Sequence, residues 1–549
     1  MLLDGDFSQP IPPWHECKLF GEIRKSKWLL QEPGAQKNAR WKWQILGTSV
    51  GGRRRRPPEG RRYRGHLRCC RQATSGIGGP LIFSLRMNTP ANNATTSTVQ
   101  PQLERGLGLK EAVALNMIEI VGIGPFVVSS LVIKAMGGPQ ALLAWLAGAL
   151  LATLDGFVWS ELGAAMPRAG GTYVFLSEAY GPGRWGRLMS FLFVWQTFVQ
   201  APLSVASASI GFARYASYIR PLNTIESKMV SGGLVLLLVV LLYRRIQTIG
   251  KISVLLWLGV VGTMVWLIWG GIRHFDAKLA FDFPPNAFQF SSLWFAGLGV
   301  AMVNTVYSYW GYYNICHLGG EIRDPENNIP RGIFLSILGI TVLYLALQTS
   351  LLGVVPWREA QNTPFIASLF VERLYGIGAA HFVTAMVLWI ALASIFSLLL
   401  GYSRVPYSAA LDGNFFPFFA KVHPTKHFPH VSLLILGAFA FLFSIVLKLE
   451  TAIAGILAMR LLVQFIGQTA GLLLLRRRWG PEKFPFKMWF YPVPAVLTMI
   501  GWAWLFWQTG AARKWGLLEI ALGICAFLIW SGVMRQWPFA PATQPAESA

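Results

Sequence analysis

Long apolar runs recur through most of this chain and constrain its fold more than any other feature. From residue 109 onward, stretches of about 20 residues with few charges alternate with short polar connections. A helix satisfies its own backbone hydrogen bonds in lipid, so each run is predicted to be a transmembrane helix. The predicted spans are 109–135, 140–165, 186–212, 229–243, 249–271, 292–316, 332–354, 380–403, 431–448, 451–475, 490–508 and 516–534. The sequence therefore predicts an all-α membrane protein with about twelve transmembrane helices, and a charged fraction of 13% argues against a soluble helical protein.

Two of these spans contain residues that interrupt a helix. The first reads NMIEIVGIGPFVVSS and has Gly122, Gly124 and Pro125 in its middle, and the sixth has Gly311 after a cluster of aromatic and hydroxyl residues. Glycine loses much entropy in a helix, and proline removes an amide donor, so peptide groups here lose helical partners. A packing glycine pair with a proline kink is the ordinary alternative. If spans one to five and six to ten form two halves, the interrupted helices correspond, which is typical of a transporter binding site.

Unwound backbone in a membrane needs something to bind. The start of a half-helix offers free amides, which suit a carboxylate, and the end of another offers free carbonyls, which suit an ammonium group. A zwitterionic α-amino acid presents both groups. Two broken helices that face each other are therefore consistent with an amino-acid site, although this chemistry alone does not specify one.

Charged residues inside membrane spans are costly and are functional candidates for that reason. Glu119 lies one turn before the first interruption and could bind a substrate amine, while Asp155 in the second span could carry a coupling proton. A residue that only faces a polar crevice is the alternative for each. The interior of the fifth span, 252–270, contains no lysine. Coupling to H⁺, coupling to Na⁺ and exchange therefore all stay open.

The region before the first span carries much of the chain's positive charge. Residues 1–86 contain 17 Lys and Arg against 6 Asp and Glu, a surplus of 11 out of the net +23. They are rich in Arg, Gly and Pro without an apolar period, so this extension is predicted to be disordered. Either it is a basic tail that binds RNA or anionic lipid, or translation starts at Met87, which we favour. No signal peptide is evident, so the N-terminus is predicted to be cytoplasmic.

Other protein classes lack support in the sequence. We find no HExxH motif, no P-loop and no paired-cysteine metal site, so an enzyme is not expected. His423, His427 and His430 form the loop sequence HPTKHFPH, which we interpret as a basic loop because no acidic or cysteine ligand accompanies it. A channel would need rings of charge or carbonyls. No cofactor, metal site or catalytic residue is predicted, and no nucleic acid partner.

Four motifs, taken in chain order, resemble those of the amino acid–polyamine–organocation (APC) transporters. VGIGPFV resembles the first-helix Gly-Ser/Ala-Gly motif, and SELGAAMPRAGGTYVFLSEAYG resembles the second-helix and inner-loop signature. YSYWGYYN with GEIRDPENNIPRGI resembles the sixth helix and its loop, and SRVPYSAALDGNFFPFFAKVHP resembles the exit of the eighth helix. Together they cover Leu109 to about Arg478 in the family's order and spacing. Ile123 stands where the family usually has Ser or Ala, and Pro125 stands where the family often has Ile. The form GGPF of this motif occurs in the polyamine and cationic branch of the family, so GIGPF leaves the charge of the substrate open.

The resemblance implies a secondary active transporter, an amino acid permease that works by alternating access. Its implied fold is a LeuT-like five-plus-five inverted repeat with two added C-terminal helices. The implied segments are a cytoplasmic leader at 87–108, a first repeat at 109–271, a second repeat at 292–475, helices eleven and twelve at 490–534, and a cytoplasmic tail at 535–549. A polyamine or organic-cation transporter of the same fold is one alternative, and a non-transporting membrane sensor or receptor is another.

The resemblance also assigns site residues. The amides of helix one would bind the carboxylate, and Tyr307 would be an aromatic gate over the substrate. The implied substrate-binding residues are Val121, Gly122, Ile123, Gly124, Tyr307, Ser308, Tyr309 and Gly311. The partners expected are a small-molecule substrate and the lipid bilayer of the plasma (inner) membrane, and the sequence leaves the oligomeric state open.

Overall fold

The computed structural model describes residues 28–30, 45–47, 103–363, 365–447, 456 and 459–539. Most of the extension at 1–86, most of the leader at 87–108 and most of the tail at 535–549 lie outside these residues. The disorder predicted for the extension therefore stays a prediction. Within Met1–Val99, the first of two compact units, the short strands β1 (Trp28–Leu30) and β2 (Ile45–Gly47) pair antiparallel.

The second unit, Gln100–Ala549, is mostly helical in its described residues. Its longer helices are α1 (Leu109–Ile120), α2 (Gly124–Met136), α3 (Ala141–Ala165), α4 (Thr172–Tyr180), α5 (Trp185–Ala216), α6 (Thr224–Leu242), α7 (Ile246–Arg273), α8 (Ser292–Tyr309), α9 (Pro325–Leu352), α10 (Ile366–Tyr375), α11 (Ile377–Tyr402), α12 (Arg404–Leu411), α13 (His430–Val446), α14 (Gln468–Trp479), α15 (Val493–Gln508) and α16 (Arg513–Val533). Four-residue helices are Ala277–Ala280, Asn314–His317 and Trp357–Ala360, and a π-helix, Leu461–Gly467, leads into α14.

Many of these helices can cross a membrane. Seven of the described helices are long and apolar enough to span it, namely α3, α5, α6, α7, α9, α11 with its continuation α12, and α16. The bent pair of α1 and α2 makes an eighth, and α13 and α15 are shorter apolar helices. Helices stand at all twelve predicted positions, although the tenth, 451–475, begins among residues that the structure does not describe. The prediction of an all-α membrane protein is confirmed, and the chain is an integral membrane protein.

The start of a helix differs most from its predicted position at the seventh span and then at the fourth. The seventh, predicted at 332–354, begins at Pro325 as α9. The fourth, predicted at 229–243, begins at Thr224 because the Asn223 side chain caps it and accepts from the amides of Ile225 and Glu226, both at 2.9 Å. Between the second and third spans lies the short helix α4, most of whose residues are buried because it packs between α5 and α14.

The two halves of the first span lie in the middle of the bundle. α1 packs against α7, α9 and α11, and α2 packs against α8. α3 in turn packs against both α8 and α9. This arrangement surrounds the interruption between α1 and α2 with the sixth and eighth predicted spans.

The loops that carry the other sequence motifs meet at one end of the bundle. The amide of Leu107 donates to the Glu321 carbonyl at 3.0 Å, and the amide of Arg323 donates to the Leu107 carbonyl at 2.7 Å. Arg404, just after α11, forms two hydrogen bonds of 2.8 Å with the Glu321 carboxylate, and both side chains are buried. Removing one partner of such a pair costs about 3–5 kcal/mol. The start of α1, the loop after the sixth span and the end of the eighth are thereby fixed to each other.

Candidate functional site

The first helix is broken within the predicted stretch. α1 ends at Ile120, α2 begins at Gly124, and the two are bent by 46°. The amides of Val121 and Gly122 donate backward, to the carbonyls of Met117 and Ile120, both at 2.9 Å. The amide of Gly122, which was predicted to be a substrate-binding residue, is therefore already bonded within the chain.

The next two amides are free. Neither Ile123 nor Gly124 has an acceptor for its amide among the described residues. They form the N-terminal end of α2, where the helix dipole adds partial positive charge. The Ile123 side chain packs against Gly211 of α5. This end of α2 can bind an anion such as a carboxylate.

The sixth span is broken at the predicted glycine. α8 ends at Tyr309, and a short helix resumes at Asn314. Gly311 between them has a φ of 120°, which favours glycine. A Cβ atom on Gly311 would also lie 2.7 Å from Glu119 Cγ and 2.9 Å from the backbone nitrogen of Ile120. Glycine is required here both for the turn and for the close approach of the two broken helices.

The side chain of Asn116 joins the two broken helices from within α1. Its Nδ2 donates to the carbonyl of Tyr312 at 2.6 Å, and its Oδ1 accepts from the amide of Ile315 at 3.1 Å. Asn116 is fully buried. It thus satisfies two backbone groups that the break in the sixth span leaves without helical partners.

The Tyr344 hydroxyl on α9 lies between the two breaks. It is 2.8 Å from the carbonyl oxygen of Ile120 and 3.0 Å from that of Ser308. These carbonyls are at the C-terminal ends of α1 and α8, so one buried hydroxyl serves the ends of both half-helices. The ring packs against Trp145 and Tyr309, with centroid separations of 5.3 Å each.

A cavity of about 60 Å³ lies between the two breaks. One water molecule needs at least about 10–15 Å³, so the cavity has room for only a few water-sized groups. Its lining residues are Glu119, Ile120, Gly122, Ile123, Gly124, Ser204, Ala208, Tyr307, Ser308, Trp310, Ser394, Leu398, Ile456 and Arg460.

Six of the ten residues predicted for the site line this cavity. They are Glu119, Gly122, Ile123, Gly124, Tyr307 and Ser308. The other four, Val121, Tyr309, Gly311 and Asp155, do not line it. Val121 is buried behind the break, and Gly311 contacts the first helix instead. Tyr309 faces Trp145 and Tyr344.

Asp155 is held away from the cavity by three donors. Its carboxylate accepts from the Tyr312 hydroxyl at 2.6 Å, from Trp159 Nε1 at 2.8 Å and from Trp502 Nε1 at 3.2 Å. These donors come from the sixth span, from α3 itself and from α15. The carboxylate therefore connects three helices, and the predicted role in proton coupling stays a prediction.

Arg460 is the most consequential residue that the sequence analysis did not assign. Its side chain is only 3% exposed. It donates to the hydroxyls of Tyr313 at 2.8 Å and Tyr402 at 2.5 Å, and its guanidinium lies 5.0 Å from the ring centroid of Trp310. Its Nε has no acceptor, and it forms no ion pair with the residues that the structure describes. Arg460 precedes the π-helix Leu461–Gly467, a rare element frequent at functional sites.

Two kinds of residue were missed. Arg460 could have been found, because a cation inside a predicted span meets the rule that singled out the two carboxylates. The remaining lining residues carry no such signal, since one sequence does not show which helix faces point toward the breaks. They are Ile120, Ser204, Ala208, Trp310, Ser394, Leu398 and Ile456.

The loop HPTKHFPH lies apart from the cavity. His423 Nδ1 accepts from the amides of Thr425 and Lys426, both at 3.3 Å, so this ring atom serves the loop itself. Within 103–363, 365–447 and 459–539, no group of three or more His, Cys, Asp or Glu side chains is placed to hold a metal ion.

Comparison with known proteins bears on the identity of this fold. The chain is 23% identical to the serine/threonine exchanger SteT of Bacillus subtilis (strain 168), with 79% of this chain and 98% of that protein covered. It is 27% identical to the branched-chain amino acid permease BcaP of Lactococcus lactis subsp. cremoris (strain MG1363), with 76% and 93% covered. It is 28% identical to the Asc-type amino acid transporter 1 of Mus musculus, with 61% and 63% covered.

These relatives are named as exchangers, permeases and transporters, which supports a non-enzyme at the level of the family. The family described as amino acid permease matches residues 107–529, from the start of the helical unit to its last helix. The resemblance to APC transporters is thereby confirmed, and the chain belongs to the amino acid permease family.

Proposed function

We propose that this protein is a secondary active transporter that carries a small amino acid across the membrane by alternating access. The observation that carries the proposal is the pair of free amides, Ile123 and Gly124, at the N-terminal end of α2 beside the cavity. The family and the named relatives support amino acids as the substrate class.

The substrate's two charged ends have separate partners in this proposal. Its carboxylate accepts from the amides of Ile123 and Gly124 and gains from the dipole of α2. Its ammonium group donates to Glu119, which lines the cavity and whose Oε2 atom has no partner among the described residues. The Tyr307 ring, which lies 6.0 Å from Trp310 by ring centroids, covers the substrate as the aromatic gate.

Transport follows if the two broken helices open alternately toward the two sides of the membrane. The division into repeats at 109–271 and 292–475 supplies the two units that would move against each other. We place the protein in the plasma membrane. We place both termini in the cytoplasm because, among the short connections between the predicted spans, those on the same side as the N-terminus carry more Lys and Arg than those on the other side. The driving force is H⁺, Na⁺ or exchange, which gradient dependence in liposomes would distinguish.

Uptake into proteoliposomes tests the proposal. Proteoliposomes that contain the purified full chain should accumulate radiolabelled L-alanine. Gly124→Val should abolish this uptake, because the valine side chain would enter the carboxylate site. A Cβ atom at this position already lies 3.2 Å from Ser308 Oγ. Gly262→Val is the matched control, since Gly262 is exposed on α7 with open space around it. Membrane insertion of both variants is checked by detergent extraction and gel filtration.

The outcomes separate the alternatives. Normal uptake by Gly124→Val would contradict the backbone site. Uptake of spermidine without uptake of any amino acid would favour the polyamine transporter of the same fold. Saturable alanine binding without uptake under any gradient would favour the membrane sensor.

A further inference from the structure

Two opposite charges face the same small cavity. Glu119 on α1 is 8% exposed and Arg460 is 3% exposed, and both line the space between the broken helices. Each has a polar atom without a partner among the described residues, Oε2 of Glu119 and Nε of Arg460. They form no ion pair with each other, so each remains available to a ligand.

The remaining neighbours of Arg460 do not neutralise it. Its hydrogen bonds go to the phenol groups of Tyr313 and Tyr402, and its aromatic contacts are with Trp310 and Tyr402. Phenols and indoles orient a guanidinium and carry no compensating charge. In the described wall of the cavity, Glu119 is the negative charge that offsets Arg460.

The balance of these charges restricts the ligand. A buried charge without compensation is strongly unfavourable, because the low-dielectric site solvates a charge much less well than water does. A wall with one negative and one positive group is neutral, and a zwitterion leaves it neutral. A ligand with an extra cationic or anionic side chain would leave one net charge buried.

We propose that Glu119 and Arg460 together set the charge specificity of this site, so that it takes small amino acids with an uncharged side chain. The inference rests on the proposed function and deepens it by naming the substrate class. Glu119 binds the substrate ammonium group. The Arg460 Nε–H donates to a substrate oxygen, and its positive charge repels a cationic side chain.

The cavity is also small. At about 60 Å³ it has room for only a few water-sized groups, which favours a ligand the size of the smallest amino acids.

Charge-changing variants separate charge from size. We would measure how L-alanine, L-aspartate and L-2,4-diaminobutyrate compete with radiolabelled L-alanine for binding to the purified full chain. Wild type should favour alanine. Arg460→Gln leaves the wall negative and should shift the diaminobutyrate-to-alanine affinity ratio upward by at least about tenfold. Glu119→Gln leaves it positive and should raise the aspartate-to-alanine ratio by a similar factor. The double variant should return toward the wild-type ratios.

Two further variants serve as controls. Glu519→Gln removes another buried carboxylate without a described partner, one that lies on α16 and does not line the cavity, and it should leave both ratios unchanged. Arg460→Lys keeps the charge and should keep the wild-type preference even where Arg460→Gln is poorly folded. Absence of alanine binding by wild type would overturn the proposed function. Where alanine binds, the charge-balance proposal alone would be overturned if Arg460→Gln does not raise the diaminobutyrate-to-alanine ratio or if Glu119→Gln does not raise the aspartate-to-alanine ratio.

Discussion

Gly311→Ala tests whether the two broken helices depend on direct contact. Two penalties apply. A residue with a side chain at a φ of 120° is strained by about 1–3 kcal/mol. The new Cβ would lie 2.7 Å from Glu119 Cγ and 2.9 Å from the backbone nitrogen of Ile120, and overpacking of this kind adds about 1–3 kcal/mol. Together the two penalties should lower the free energy of unfolding by about 2–6 kcal/mol. The backbone nitrogen of Ile120 cannot relieve the contact by rotating away, as a side chain could.

Gly376→Ala is the matched control. Gly376, which precedes α11, has a φ of 81° and a ψ of 178°, and a Cβ there meets nothing within 4 Å, so only the backbone strain of about 1–3 kcal/mol applies. The free energy of unfolding in mixed micelles would be measured for both variants, with alanine uptake as the second readout. Gly311→Ala should lose more stability than the control and should lose uptake. Equal loss of stability in the two variants would refute the contact between the helices.

Two further substitutions address the groups around the cavity. Tyr344→Phe removes the hydroxyl between the ends of the two half-helices. The free energy of unfolding, measured in the same micelles, should fall by about 1–3 kcal/mol. A change within about 0.5 kcal/mol would show that the carbonyls of Ile120 and Ser308 find other partners. Asp155→Asn should remove the pH dependence of alanine uptake if this carboxylate carries the coupling proton, and an unchanged profile of uptake against pH would leave Asp155 with a structural role in joining three helices.

The positions of the helices follow from apolarity. A bilayer demands about 20 apolar residues per span, and this demand is readable from one sequence. The breaks were predictable for a similar reason, because Gly122, Gly124, Pro125 and Gly311 weaken a helix whatever surrounds them.

The orientation of side chains at the breaks was not predictable. Trp310 has an extended backbone, with φ −61° and ψ 145°, so the helical period of α8 stops there. Trp310 consequently lines the cavity, while Tyr309, assigned to the site from the motif, packs against Trp145. Val121 was also assigned to the site and does not line the cavity, because it follows the last turn of α1 and is buried behind it.

The tenth span illustrates the remaining limit. Its contribution to the site depends on how far its helix is rotated about its axis, and the π-helix Leu461–Gly467 changes that rotation. Arg460 was identifiable as a charge within a span, but its approach to Glu119 depends on packing that brings together residues more than 300 positions apart.

A structure of the full chain with L-alanine bound tests the central claim most directly. The proposal predicts the alanine carboxylate between the two breaks, with its oxygens about 2.7–3.2 Å from the amide nitrogens of Ile123 and Gly124, and the ammonium group toward Glu119. Alanine bound with its carboxylate away from both amides, or bound outside this cavity, would contradict it.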